Sequence, residues 1–383
     1  MLRPLNSIKS ITTSKWATRG WTFQEGYLSR KRLFFTDKGV HYVCNGSRTG
    51  GTLHRFLSLE SPRSQKTKAP SAVSAWTLRL APFTRNLEAY SARQLSVDSD
   101  ALDAITGALN DQAAKDKPLY HLWGVPIFET DVDYDLGPST NFAKGTIQPG
   151  TRKHTSIEFL LQWNHYRPCR RRTEFPSWSY LGWTGRIYVS PWPRQKHIGE
   201  HFVVHNLEVG NSIRDHVPTN PSSAFRTLQN YTLRPHGTRY LDVTTSTVPL
   251  CLVNVTWSDD VEHNGFHVAI ALSKSKHGYI SVKWSRDPDA VKADGRSLRG
   301  ALFIDERKLL KKRSSTTLFV LEQYGEHFER IGLCTLSGNG VQTVSVADKA
   351  ASDTGVLVHK WQMEPLEMRD WQQLSTKQRI LIG

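Results

Sequence analysis

Glu25 is the carboxylate best placed to do chemistry in this sequence. It stands one helical turn after Trp21 and directly after Gln24, so a helix here carries Trp21, Glu25 and Leu28 on one face at i, i+4 and i+7. A carboxyl partly withdrawn from water in that setting has a raised pKa and can act as a general acid or base. The same residue fits a structural role equally, paired with Arg19 or accepting backbone N–H groups. Arg19 and Arg30 carry the guanidinium fork that suits a phosphate; the plainer reading is an ion pair with Glu25 or an exposed face. Trp123, Trp178 and Trp183 could stack a planar ligand, but tryptophans beside Gly and Pro more often belong to a core.

Other candidates are weaker. Arg170-Arg171-Arg172 reads as an anion contact or, more simply, a solvated loop. His263 and His267 are four apart, which suits a metal on a helix, but Asn264-Gly265 between them breaks that helix, so no metal site is expected. No Gly-rich phosphate loop follows a strand and no Ser sits in a nucleophile elbow, so no cofactor is expected either. Cysteines 44, 169, 251 and 334 lack metal or redox spacing and read as small buried hydrophobes.

The elements that must position these residues begin with a short helix over Trp21–Leu28, entered through a sharp turn at Gly20. A hairpin comes next, Arg32–Thr36 and Val40–Cys44 around Asp37-Lys38-Gly39. Residues 63–74 read as a surface loop. Trp76–Leu80 fits a short strand or the start of a helix. Ala101, Leu102, Ile105, Ala108 and Leu109 predict a helix over 98–114, with Ser96, Asp98 and Asp100 at its start. Residues 131–150 read as a long loop and 153–164 as a second helix whose apolar face Trp163 closes. Phe175–Trp183 reads as a buried, aromatic-rich turn that staples helix to sheet. From about Gly185 the period becomes that of strands: 187–189, 202–204, 240–243, 250–257, 267–272, 279–284 and 301–304, then a hairpin of 317–323 and 328–335 around Gly325. Residues 205–235 and 286–299 read as long polar connections. The expected fold class is α+β: a helix and β-hairpin with further helices over 1–184, then an antiparallel β-rich, sandwich- or barrel-like domain over 185–383.

Arg19-Gly20-Trp21-Thr22-Phe23-Gln24-Glu25, Leu28-Ser29-Arg30 and Leu33-Phe34-Phe35 together resemble the last block of the fungal heterokaryon-incompatibility (HET) domain. His121–Pro126 and Phe175–Trp183 resemble the segments downstream of that block in such proteins, in the same order and at similar distances. Glu329–Leu333 adds a weak likeness. The two earlier blocks of the domain, Tyr-x-Ala-Leu-Ser-Tyr-x-Trp-Gly and Ile-Asp-x-x-Cys-Ile-x-Gln, have no counterpart in Met1–Thr18. The resemblance therefore implies a truncated HET domain plus its downstream region. It further implies a part in non-self recognition and programmed cell death, without intrinsic catalysis. HET domains have been likened to TIR domains, some of which cleave NAD with a glutamate; that likeness implies residual NAD hydrolysis at Glu25 as the alternative.

Composition bounds the partners. A formal net charge of +15 is spread unevenly, with +10 over residues 1–70, −4 over 71–150, +6 over 151–200 and +3 beyond. The basic front points to nucleic acid or an acidic partner; the plainer and favoured reading is that a missing N-terminal half once balanced it, because the aromatic-plus-basic pattern of a known nucleic-acid module is absent, and a protein partner is expected ahead of nucleic acid. Apolar residues are 38% of the chain, but twelve tryptophans raise the burial each can supply, so a folded protein is expected. Met1–Ser14 holds no secretory h-region, and no apolar run reaches the roughly 20 residues that span a bilayer. A soluble, reduced, cytoplasmic protein is the expectation.

Overall fold

A computed structural model describes residues 11–36, 39–44, 75–115, 119–127, 161–189, 203–204, 239–257, 265–272, 277–302, 315–337, 341–343, 356–358, 362–364 and 372–383. The fold is α+β with a β-rich domain. The chain forms two units, Met1–Trp163 with Thr184–Lys196, and Asn164–Trp183 with His197–Gly383. The boundary expected at 184/185 lies beside one of three crossings. Phe175–Trp183 thus belongs with the β-rich unit.

The first unit opens with α1 (Lys15–Thr18) and α2 (Thr22–Leu28), followed by the antiparallel hairpin β1 (Lys31–Thr36) and β2 (Gly39–Cys44). Trp76–Leu80 takes its helical alternative, inside α3 (Ala75–Ser91). A 3-10 turn at Asp98–Ala101 leads into α4 (Asp103–Ala113), which buries Ile105, Ala108 and Leu109 as their spacing predicts, and Ala104 with them; Ala101 is buried in the 3-10 turn and Leu102 half-buried. The short hairpin β3 (Tyr120–Leu122) and β4 (Val125–Ile127) is closed by Trp123 and Gly124, with φ of 50° and 78°. Positive φ at both central residues matches the right-handed twist of the strands. For a tryptophan this conformation costs on the order of 1–2 kcal/mol, which the packing of the turn must offset. Trp163–His165 forms a short strand, β5, where a helix to residue 164 was expected; residues 153–160 of that expectation lie outside the described residues. After it, β6 (Ile187–Val189) hydrogen-bonds to α3, Ile187 N–H donating to Ser91 Oγ at 3.1 Å and Val189 N–H to Glu88 Oε1 at 3.0 Å.

The second unit is built on one long strand. β7 (Val203–Val204) is followed by β8 (Leu241–Trp257), which runs unbroken through two segments expected as separate strands. Next come β9 (Gly265–Ala271), β10 (His277–Trp284), α5 (Pro288–Asp294), β11 (Leu298–Leu302), β12 (Ser315–Tyr324) and β13 (His327–Ser337). The pairings β8–β9, β9–β10, β10–β13, β13–β12, β12–β11 and β11–β8 are all antiparallel and close a six-stranded ring. Such closure leaves these strands no free edge within the ring. The chain completes β14 (Val341–Thr343), β15 (Val356–Val358), β16 (Gln362–Glu364) and β17 (Thr376–Ile382). β17 pairs with β8 as far as Thr247, and β9 takes over from Cys251. Residues 286–299, expected as a polar connection, instead hold α5 and the start of β11. The signals were present: Asp287 accepts from Asp289 N–H, Pro288 begins the helix and Gly295 ends it at φ 61°. The Gly325 hairpin stands as expected, with φ 58°. The expected connection at 205–235 lies outside the described residues.

Phe175–Trp183 is buried and fixed to this barrel through main-chain groups. Ser177 N–H donates to Gly383 O at 2.7 Å, Arg330 N–H donates to Ser177 Oγ at 2.8 Å, and Trp183 Nε1 donates to Ser177 O at 2.9 Å. Arg171 and Arg172 do not form a solvated run. Arg171 donates to the carbonyls of Phe175 (2.7 Å) and Gly182 (3.0 Å) and forks onto Glu329. Arg172 donates to Trp183 O at 2.6 Å. Main-chain groups meet only some of the turn's carbonyls (Arg172 N–H donates to Gly182 O at 2.7 Å), and an orphaned buried carbonyl is expensive. Gly182 lies so close to the turn that an added Cβ would sit 2.2 Å from Pro176 O. Gly182→Ala is therefore expected to lower unfolding stability by about 3 kcal/mol, read as a shifted urea midpoint; an unchanged midpoint contradicts this packing.

His165 is buried in the same unit, its Nδ1 3.0 Å from Ser285 Oγ. Burial, and then the charges of Arg330 and Arg172, push its pKa from 6.5 down to about 3. The unfolded chain takes up that proton first, so the fold has its full stability above about pH 6.5 and loses it as pH falls toward 3. Comparing urea midpoints near pH 7 and pH 4.5, His165→Gln should lose less than the native chain; an identical loss would remove His165 as the cause.

Candidate functional site

The HET-like stretch folds into an open groove in the first unit. Its walls come from α1, α2 and β1: Trp16, Glu25, Ser29, Arg32 and Phe34 line a cavity of about 430 Å³. Alternation along β1 turns Arg32, Phe34 and Thr36 to one face and Lys31, Leu33 and Phe35 to the other, where they are exposed. Phe34 meets Trp16 edge-on with centroids 5.3 Å apart. The half-buried Arg32 guanidinium lies 5.9 Å from the Phe34 ring centroid, and burial lowers its pKa.

The helical wall is held from behind. Gln24 Oε1 accepts from Gly107 N–H at 2.7 Å, and Tyr27 donates to Asp111 Oδ2 at 3.0 Å. An added Cβ at Gly107 would fall 2.5 Å from that amide oxygen, so glycine permits the contact. Arg93 fixes the junction of α1 and α2. It is buried, donates to Thr22 Oγ1 at 2.8 Å and Arg19 O at 3.1 Å, and lies 5.3 Å from the Phe23 ring and 6.0 Å from the Trp16 ring. Burial pushes its pKa down to about 10. Main-chain bonds add to the clamp: Gly20 N–H donates to Gln94 O and Gln94 N–H to Thr18 O, both at 2.7 Å. Gly20 serves here through its size, since a Cβ would run into Leu95.

The groove gathers only part of what the sequence singled out. Glu25 lines it, but is exposed, as are Trp21 and Leu28; the face they share is the solvent face of α2, whose buried residues are Thr22, Phe23 and Gly26. The expected desolvation of Glu25 is therefore missing. Arg19 and Arg30 are exposed, and among the described residues no ion pair joins either to Glu25. Trp21 instead donates through Nε1 to Asp100 Oδ2 at 3.0 Å. Trp123 occupies the β3–β4 turn. Trp178 and Trp183 are fully buried, with their N–H groups donating to Arg239 O and Ser177 O, so neither offers a stacking face. His267 is buried on β9, and its Nδ1 lies 3.0 Å from Gly265 O; among the described residues no cluster of His, Cys, Asp or Glu could hold a metal. The sequence alone does not mark Trp16, Arg32 and Phe34 as groove residues, although period-2 alternation in β1 already places Arg32 and Phe34 on one face.

No protein-family model, curated protein or solved structure matches the chain. No helix among the described residues is long and apolar enough to cross a membrane.

Arg93 tests how the groove is held. Arg93→Ala removes two charge-assisted hydrogen bonds and leaves a cavity, so unfolding stability should fall by about 3 kcal/mol. Arg93→Lys should restore less than half of it, because one ammonium cannot span the same acceptors. Chemical denaturation followed by Trp fluorescence reads both; full rescue by lysine would contradict the fork geometry.

Proposed function

We infer that this chain works as an interaction component of the HET class, in fungal non-self recognition and the cell death linked to it, and that it binds instead of catalysing. The observation that carries the reading is the state of Glu25. The residues that resemble the HET block build an open groove, and the carboxylate in its wall is exposed to water. General acid–base work needs a carboxyl whose pKa is set by burial or by a fixed neighbour. A half-buried cation beside an aromatic pair suits recognition of an anionic or acidic group.

The second reading, NAD hydrolysis, draws on the same groove, because Trp16, Arg32 and Glu25 are the residue types a nucleotide site would use. Incubating the purified chain with NAD separates the two. No turnover above that of Glu25→Gln is expected; turnover that Glu25→Gln abolishes overturns the binding reading. The cellular role is tested by expressing the chain in one of two compatible fungal strains and scoring fused cells. Death or growth arrest of the fusions is expected, and normally viable fusions would count against a part in non-self recognition.

A further inference from the structure

We propose that the outer edge of β1 is a docking edge for an extended peptide segment of a partner protein, with apolar residues through its middle and carboxylates at the end that meets Lys31 and Arg32. This deepens the binding reading of the groove and rests on it.

The edge is set by the register. Thr36 pairs with Gly39 across two connecting residues, which makes Thr36–Gly39, Phe34–His41 and Arg32–Val43 the hydrogen-bonded pairs of the hairpin. The N–H and C=O groups of Leu33 and Phe35 then point away from β2. Among the described residues β1 pairs with β2 alone. That outward side of β1 is a wall of the groove, since Leu33 to Thr36 line it as consecutive residues. A strand laid there finds main-chain donors and acceptors at its own spacing, the geometry of β-strand addition.

The side chains on either face select the occupant. A pairing strand alternates, like β1, between the groove face and the outer face. Its groove-face residues lie beside Phe34 and Trp16, and its outer-face residues beside Leu33 and Phe35, which are 57% and 78% exposed. Val40 and Tyr42 continue that outer face across the register from Phe35 and Leu33, and both are exposed. A two-stranded ribbon with an uncovered apolar face gains by becoming three-stranded. Charge fixes the ends. Arg30, Lys31 and Arg32 stand together at the start of β1, whereas the groove lining holds one cation, Arg32, and one carboxylate, Glu25, so the excess of positive charge lies at that end of the strand. With residues 1–70 carrying a net +10, a second copy of the same basic edge is repelled where an acidic segment is attracted.

The test uses the full chain and a capped, fluorophore-labelled hexapeptide, Thr-Val-Leu-Val-Glu-Glu, read by anisotropy. Saturable binding is expected below about 1 mM, weakened by added salt. The Lys-Lys counterpart should bind at least about tenfold more weakly, and Arg32→Gln should cost the acidic peptide a similar factor. The same acidic peptide N-methylated on alternate amides, in the frame that faces β1, should not bind; this arm uses the unaltered protein and so does not depend on a variant folding. No anisotropy change with the acidic peptide, equal binding of the Lys-Lys peptide, or undiminished binding of the N-methylated one overturns the proposal. A dimer in sedimentation, together with no anisotropy change from the acidic peptide, assigns the edge to a second copy and overturns it as well. No peptide binding with dead or arrested fusions overturns the docking edge alone, whereas viable fusions with peptide binding intact count against the cellular role alone, so the two failures are distinguishable.

Discussion

The first unit depends on a guanidinium placed where a charge is costly. Burying an unpaired cation costs several kcal/mol, and Arg93 cannot shed its proton to escape that cost. It is made tolerable by the Arg19 carbonyl, the Thr22 hydroxyl and the ring faces of Trp16 and Phe23, all supplied by a short run of chain around α1 and α2. Each of those groups must be in place for the cation to be buried, so the cation in turn dictates where α1 ends and α2 begins. The angle between those helices sets Trp16 against Phe34, and with it the width of the groove. Removing the charge would take away the reason for that arrangement as well as its bonds.

The second unit applies the same chemistry to a different problem. A buried turn finds too few main-chain donors for its carbonyls, and Phe175–Trp183 is buried from water. Arg171 and Arg172 supply several N–H donors each in a rigid fork, enough to satisfy the Phe175, Gly182 and Trp183 carbonyls from two side chains. Glu329 neutralises one of the two, and Arg330 beside it is fully buried with its guanidinium 4.8 Å from the Phe319 ring. The last two stretches that carry the HET-like likeness, 175–183 and 329–333, are in direct hydrogen-bonded contact through Ser177 and Arg330. Their residue types are accounted for by this packing, apart from any function.

What the sequence made legible depends on which forces act locally. The α4 helix was readable because four apolar residues at helical spacing carry its burial, and the Gly325 hairpin because its turn requires a positive φ. The α+β class and the β-rich second half came from the same periodicities. The failures share a cause in the opposite direction. Arg171-Arg172 read as solvated because charge predicts exposure until a buried carbonyl needs a donor, and the carbonyls that need them come from a turn up to eleven residues away. Glu25 read as shielded because its helical face carries Trp21 and Leu28; only tertiary packing of Phe23 on Tyr90 decides that the other face goes inward. The sequence left sandwich and barrel open for the same reason, since closure depends on β8 exchanging β17 for β9 along one side while β11 holds the other.

The β1 sequence shows why structural and functional demands need not compete in this unit. A strand has two faces and two edges, and each can answer to a different force. In β1 one face supplies Phe34 to the aromatic contact with Trp16, and one edge is spent on β2. Neither requirement constrains Leu33 and Phe35 to be apolar, because their side chains leave that face and their main-chain groups leave that edge. An exposed Phe and Leu at alternate positions cost solubility and contribute little to folding the monomer. Exposed as they are, their residue type is not explained by packing among the described residues. The half-buried Arg32 on the opposite face adds a charge requirement that an apolar surface alone would not impose. Shape, main-chain pairing and charge therefore converge on one short strand and, among the described residues of the first unit, on the groove beside it.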